Sequence, residues 1–365
     1  MAQDSACTKE TLKGLDEYVL LGRSGLRVSP LCLGTMTFGE QMKIGANFED
    51  SKEIFNYYFE KGGNFIDTAN VFGESERFLG ELIADKRSQV VVATKYTANV
   101  TTMMPNQKYN PNAGGNHRKS LVESLNESLK RLGTGYVDLL YVHAWEFRTP
   151  IEEMMRSLDD AVRSGKVLYI AISDAPAWVI SRANTMAELR GWSRFIGLQT
   201  RYNLLERSME FDLQSACAEL DVGIIPWGCM AEGFLTGKYT KESDTSLGKL
   251  GGRSYSITKS ASLERNWEIL DEVKTIASEI DKSPAQVVLN WISQKPGITS
   301  PLLGVKTKAQ LEENLKALEF KLTPEQMARL DTVSSPKEIP FPYNFFGTAE
   351  YYIGKNIQQL DKFKP

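Results

Sequence analysis

ESLNESLKRL (residues 123–132), YVDLLYVH (136–143), IEEMMRSLDDAVRSG (151–165) and VLYIAIS (167–173) follow one another with short joins, and their alternation decides the fold. The first and third segments space their apolar residues as one face of a helix does, with charges between. The third directly follows Pro150, a residue suited to a helix start. The second and fourth are apolar at successive positions, as strands buried on both faces of a parallel sheet must be.

The rhythm extends in both directions. Further apolar runs lie at 28–34 (VSPLCLG), 64–69 (NFIDTA), 90–95 (VVVATK), 194–199 (RFIGLQ), 222–227 (VGIIPW) and 299–304 (TSPLLG), which makes eight with the two above. Asp50 and Ser51 open a helical stretch that stops on a glycine pair. Eight strand-then-helix units build either a closed barrel or an open, doubly wound sheet. The open sheet calls for a GxGxxG phosphate loop after an early strand, and the chain has none. The expected architecture is therefore an α/β fold of the (β/α)8 barrel type.

Three segments break the pattern. Residues 18–27 read as an N-terminal hairpin joined at Ser24 and Gly25, placed to plug the bottom of the barrel. Residues 97–115, after the third strand, and 228–260, after the seventh, are long loops of the kind that serve as lids or binding loops. The expected organisation is a flexible leader (1–15), the barrel (16–334) and a tail packed on it (335–365).

Composition narrows the function. Of 365 residues 42% are hydrophobic, ample for a large core, and the formal charge of −3 gives no electrostatic footprint for nucleic acid. No apolar run reaches the roughly 18–20 residues that span a bilayer, and the polar N-terminus lacks the apolar region of a secretion signal. Cys7, Cys32, Cys217 and Cys229 show no paired spacing, and His117 and His143 are the only histidines. Neither a disulfide framework nor a metal site is expected, and a cytoplasmic setting is.

Barrels of this type carry their chemistry at the C-terminal ends of the strands. Asp67, Lys95, His143, Ser173 with Asp174, Gln199, Trp227 and Lys306 stand at or just after seven of those ends. Singly, each reads as a solvated cap, His143 as a core histidine bonded to backbone, and Trp227 as core. Together, in register on one rim, they read as a site.

With these residues in place the chain resembles the aldo-keto reductases, most closely their bacterial and fungal members. The resemblance is carried by GRSGLRVSPLCLGTMTFG near the start, GNFIDTANVFG (63–73), VVVATKY (90–96), YVDLLYVHAW (136–145), AISD (171–174), QTRYNLLER (199–207), PWGCMAEGFLTGKY (226–239) and GVKTKAQLEENLKAL (304–318). It implies hydride exchange between NADP(H) and an aldehyde, ketone or alcohol. Asp67, Lys95 and His143 match three of the family's four catalytic residues. The fourth is a Tyr five residues after the Asp, where this chain has Phe72.

That Tyr protonates the substrate oxygen. Its free pKa near 10 would be lowered by a neighbouring ammonium, which an aspartate holds in place. Phe72 has no proton to give, and a positioned general acid contributes on the order of 10²- to 10⁴-fold in rate. Tyr96 is no substitute, because it points away from the side Lys95 faces if the strand runs through it. Phe72 is either a deliberate Tyr-to-Phe replacement or a natural divergence, and low activity is expected.

The resemblance also assigns the cofactor. Ser173, Asp174 and Gln199 would bond the nicotinamide carboxamide, with Asp174 standing where the family has Asn. Trp227 would stack on the ring. The segment containing Gly228, Cys229, Met230, Gly233, Leu235 and Lys238 would line the pyrophosphate. Gly304, Lys306, Thr307 and Gln310 would hold the 2′-phosphate at a helix start, with Glu313 and Asn314 at the adenine. Two lysines at a helix start oppose its dipole unless an anion binds there, which favours NADP over NAD. Met36, Phe38, Trp145, the loop after the third strand and the aromatic tail (341–352) are the candidate substrate contacts. The alternative to an enzyme is an NADP(H)-binding sensor without efficient catalysis, like the barrel subunits of some potassium channels.

Overall fold

The computed structural model describes residues 14–40, 45–103, 108–243 and 254–346. Cys7, most of the leader and residues 347–365 of the tail lie outside the described residues.

Strands β1 (Val19–Leu20) and β2 (Arg27–Val28) form the expected antiparallel hairpin, with Val19 opposite Val28. Eight parallel strands follow: β3 (Cys32–Gly34), β4 (Phe65–Asp67), β5 (Val91–Tyr96), β6 (Val137–Val142), β7 (Val167–Ser173), β8 (Phe195–Arg201), β9 (Gly223–Trp227) and β10 (Leu302–Gly304). Their hydrogen-bonded order is β10-β3-β4-β5-β6-β7-β8-β9, all parallel. Ile224 of β9 bridges Ile298, just ahead of β10: its amide donates to Gly297 O at 3.1 Å, and Thr299 N donates to its carbonyl at 2.8 Å. That bridge brings the two edges together into the expected (β/α)8 barrel.

Two apolar layers explain why the strands are apolar at every position. Cys32, Phe65, Val91, Ala93, Leu139, Tyr141, Ala171 and Ile225 fill the interior, joined from below by Leu21 and Val28 of the hairpin. Leu33, Ile66, Val92, Leu140, Ile172, Leu198 and Ile224 face outward and pack with the helices. Alternate side chains of a strand point to opposite faces, so a wall buried on both sides needs both sets apolar.

The hairpin seats because Gly22 adopts φ +54° against the barrel wall; a Cβ there would come within 2.2 Å of Ile196 O. Arg23 N then donates to Asp221 O at 2.7 Å.

Helix ends follow local chemistry. Helix Phe48–Glu60 starts two residues ahead of the expected Asp50, because the Asn47 side chain accepts from Asp50 N at 3.0 Å and caps it. Helix Arg118–Leu132 stops on Gly133 at φ +61°. Helix Ile151–Arg163 begins directly after Pro150.

The long loops are partly built. The loop after β5 carries a short helix, Val100–Met103, and Asn116 anchors it through Thr97 Oγ1 (3.0 Å) and Ala144 O (2.9 Å). The loop after β9 opens with a tight helical turn, Ala231–Thr236, and resumes with helix Ser254–Ala261. Beyond helix Pro324–Ser334, Tyr343 stacks on Phe211 at 5.4 Å. Among the described residues no helix is long and apolar enough to cross a membrane, and Cys32, Cys217 and Cys229 are buried and unbridged.

Candidate active site

Strand parity places the site. Counting up each strand from the interior layer, the next inward positions are Asp67 on β4, Lys95 on β5, Ser173 on β7, Gln199 and then Arg201 on β8, and Trp227 on β9, with His143 directly past β6. Residues scattered over 160 positions of sequence thereby surround the barrel mouth.

At the centre Lys95 and Asp67 form an ion pair, 1% and 2% exposed. Burying two charges is costly unless every remaining lone pair and proton finds a partner. Here Lys95 Nζ also donates to Thr68 O at 2.9 Å, and Gln199 Nε2 donates to the second Asp67 oxygen at 2.9 Å. Gln199, expected at the carboxamide, is thus tied to the ion pair from across the barrel. The Phe72 ring lies 5.2 Å from Lys95 Nζ and meets the His143 ring edge-on at 5.8 Å. Asp67, Phe72, Lys95 and His143 are therefore gathered in one place.

His143 departs from an ordinary core histidine. Its backbone amide bonds Tyr96 O (3.0 Å) and Thr97 Oγ1 (3.2 Å), but its buried Nδ1 has no partner among the described residues. Burial and then the Lys95 charge push its pKa down to about 3, so the ring is neutral across the physiological range. Two tyrosines lie nearby without replacing a donor at Phe72. Tyr96 faces the helices and its hydroxyl donates to Asn116 O, while Tyr141 is fully buried one layer down, 5.4 Å from Lys95 Nζ. Burial raises the pKa of Tyr141 well above that of a free phenol, with the Asp67 charge adding to the effect.

Asp174 takes φ +43°, a left-handed conformation that Asn and Asp tolerate better than other side chains. Its carboxylate accepts from Trp227 Nε1 at 3.0 Å and fixes the indole edge, and burial raises its pKa. On the other side the Arg201 guanidinium lies 5.6 Å from the Trp227 ring centroid and pairs with Glu232 at 3.2 Å. Arg201 Nε is buried without a partner among the described residues, as is Trp145 Nε1. Buried polar atoms are normally bonded, so a group of orphans around one mouth fits a site made to receive a polar ligand.

Residues 30–335 match the family model described as the aldo/keto reductase family. The chain belongs to that family. Norsolorinic acid reductase of Aspergillus flavus is 35% identical over 351 residues, covering 94% of this chain and 87% of that protein. An aryl-alcohol dehydrogenase of Pestalotiopsis microspora is 37% identical over 347 residues, covering 90% and 86%. The NADP(+) aryl-alcohol dehydrogenase of Phanerodontia chrysosporium is 35% identical over 357 residues, covering 93% and 91%. This aldo/keto reductase is thus similar along most of its length to fungal oxidoreductases.

The remaining candidates distribute unevenly. Trp145 meets Phe147 and Trp178 edge-on at 6.0 and 6.3 Å, and Phe147 and Trp178 are 70% and 52% exposed, so an aromatic ridge stands beside His143. Met36 is exposed. Phe38 is buried among the helix-side apolar residues. Leu235 is likewise core, and Cys229 is buried with its thiol on Pro226 O. Of that loop, the backbone at Gly228 (φ +67°) and at Ala231, Glu232 and Gly233 (φ +47°, +56°, +100°) is left-handed. Non-glycine residues held so cost roughly 1–3 kcal/mol each, a strain typical of ligand-holding segments.

Past β10, Thr307 caps helix Lys308–Leu315 by accepting from Gln310 N, while Lys306 N donates to Gln310 Oε1 at 2.9 Å. Gly304 lies exposed at the end of β10, and Asn314 is buried. The Glu313 carbonyl accepts from Gln286 Nε2, and its carboxylate faces Lys316 at 3.6 Å.

Arg201 and Glu232 were missed by sequence reasoning. The signal for Arg201 was present, since it stands two residues after Gln199 and so shares its face.

Proposed function

We propose that this aldo/keto reductase exchanges hydride between NADP(H) and an aromatic aldehyde, ketone or alcohol, slowed by the loss of the proton donor at Phe72. The observation that carries the reading is the convergence of the Lys95–Asp67–Gln199 cluster, His143 and Phe72 at one mouth whose orphaned polar atoms fit a polar ligand.

The chain's own residues divide the work. Trp227, held at its edge by Asp174, offers a flat face for the nicotinamide, and Ser173 with Asp174 offers polar groups for its carboxamide. The turn 228–233, left-handed at Gly228 and from Ala231 to Gly233, and Lys238 would take the pyrophosphate. The start of helix Lys308–Leu315, with Lys306, Thr307 and Gln310, would take the 2′-phosphate, and Glu313 with Asn314 the adenine. When bound, the nicotinamide supplies or accepts the hydride.

The Lys95 ammonium, oriented by Asp67 and Thr68 O, stabilises negative charge developing on the substrate oxygen. A neutral His143 donates one hydrogen bond to that oxygen and cannot act as an acid from an imidazolium form. Solvent then delivers the proton. The ridge of Trp145, Phe147 and Trp178 suits a planar aromatic substrate, as do the names of the fungal relatives.

Phe72 favours a second reading, an NADP(H)-binding sensor, while the retained Asp67, Lys95 and His143 favour the enzyme. Phe72→Tyr with NADPH and a panel of aromatic aldehydes decides between them. The enzyme reading expects a rise in kcat of about a hundredfold or more; an unchanged rate with intact NADPH binding overturns it in favour of the sensor. Fluorescence titration tests the cofactor, and binding of NADH as tight as NADPH would remove the 2′-phosphate role from Lys306.

A further inference from the structure

Arg201 and Glu232 lie within QTRYNLLER and PWGCMAEGFLTGKY but have no role in the reading above, and they link Trp227 to the loop that follows it. Arg201 closes β8 on its inward face, in register with Trp227 across the β8–β9 pair. Its Nη2 bonds Glu232 Oε2 at 3.2 Å, and its buried Nε has no hydrogen-bond partner among the described residues. Glu232 stands in the middle of three left-handed residues, Ala231 to Gly233. That conformation brings its Oε1 within 3.8 Å of where a Cβ on Gly228 would be, with Arg201 Cγ at 3.7 Å and Nε at 3.9 Å from the same point. From the far side Lys238 Nζ comes to 2.9 Å of the corresponding point on Gly233. A carboxylate is thus paired with a guanidinium beside a glycine without a side chain, on left-handed backbone, with a second cation, Lys238, on the other side of the same turn. These are the features an anion site needs, with the anion supplied by the protein itself.

We infer that Glu232 is an internal stand-in for the cofactor pyrophosphate, and that Arg201 exchanges Glu232 for the pyrophosphate when the dinucleotide binds. The inference rests on the NADP(H) reading above. Two anions compete for one guanidinium, so the carboxylate weakens dinucleotide binding and keeps Arg201 in place over Trp227 when no cofactor is bound. An orphaned Nε beside a partnered Nη2 fits this exchange: the guanidinium has a further donor for a phosphate oxygen, which one carboxylate oxygen leaves unused.

The test is equilibrium binding of NADPH, followed by tryptophan fluorescence quenching and calorimetry, to the unaltered protein, Glu232→Gln, Arg201→Met and Arg201→Lys. Adenosine 2′-monophosphate, which has no pyrophosphate, serves as the control ligand. The expected results are NADPH binding tightened about 3- to 10-fold in Glu232→Gln and weakened about tenfold or more in Arg201→Met. Arg201→Lys should fall between, and the affinity for adenosine 2′-monophosphate should stay unchanged in all three. NADPH affinity unaltered or weakened in Glu232→Gln would overturn the exchange, because a merely structural ion pair gives that result. Equal changes for NADPH and adenosine 2′-monophosphate would overturn it too. Failure of the unaltered protein to bind NADPH at all would instead bring down the cofactor reading and this inference with it.

Discussion

At the end of the barrel where the strands begin, Arg87 uses every nitrogen of its guanidinium. Nε donates to Thr134 Oγ1, Nη1 meets Val90 O and Asp138, Nη2 donates to Tyr136 O, and the plane stacks on the Tyr136 ring at 3.9 Å. Asp138 in turn accepts from Val92 N. At the end where the strands finish, Arg201 Nε, His143 Nδ1 and Trp145 Nε1 have no partner among the described residues. Both ends bury charged side chains beside the same eight strands. Among the described residues one end satisfies its own polar atoms, while the other leaves several open. A saturated buried network serves the fold, and an unsaturated one marks a place for a ligand.

The contrast can be broken by experiment. The largest effect belongs to the closed end: Arg87→Met strands the buried Asp138 and should cost roughly 3–5 kcal/mol of stability. It would be read from the urea midpoint, with NADPH affinity unchanged. A loss of cofactor affinity at full stability would erase the distinction between the ends.

Next comes His143. Below its unfolded value near 6.5 the unfolded ring binds a proton that the folded ring, with a pKa of about 3, refuses. Its contribution is therefore whole above pH 6.5 and is lost as the pH falls towards 3. Between pH 6.5 and 5 the loss is about 2 kcal/mol, and His143→Gln should flatten that limb of the stability curve by this amount. An unchanged slope would mean that the imidazole is not shielded. Smallest in stability is Trp178→Ala on the exposed ridge, expected within about 0.5 kcal/mol of the unaltered protein. The same change should raise KM for an aromatic aldehyde several-fold while leaving KM for a small aliphatic one in place.

How much of this could be read in advance depended on periodicity. The eight strands, the hairpin and the inward rim from Asp67 to Trp227 were legible, because a wall buried on both faces leaves an uninterrupted apolar signature that ends abruptly in polar residues. The burial of Phe38 was not legible, because it lies in a segment without repeating pattern, where an aromatic residue gives no hint of which way it faces. Glu232 was invisible for a related reason: its position follows from three consecutive left-handed residues, two of which carry side chains that rarely adopt that conformation. Gln199 was found, but its bond to Asp67 joins β8 to β4 across the mouth, and no linear spacing announces a contact between residues 132 positions apart.

The short strand β10 has a consequence for the chain as it is made. Leu302–Gly304 pairs with β3, and the residues just ahead of it bridge β9, so this late stretch joins the first and last walls of the cylinder. Until it emerges from the ribosome, both margins of the seven-strand sheet present unsatisfied backbone groups that could pair with a neighbouring chain. Nearly five-sixths of the polypeptide must therefore wait, unsealed, for three residues to finish the ring.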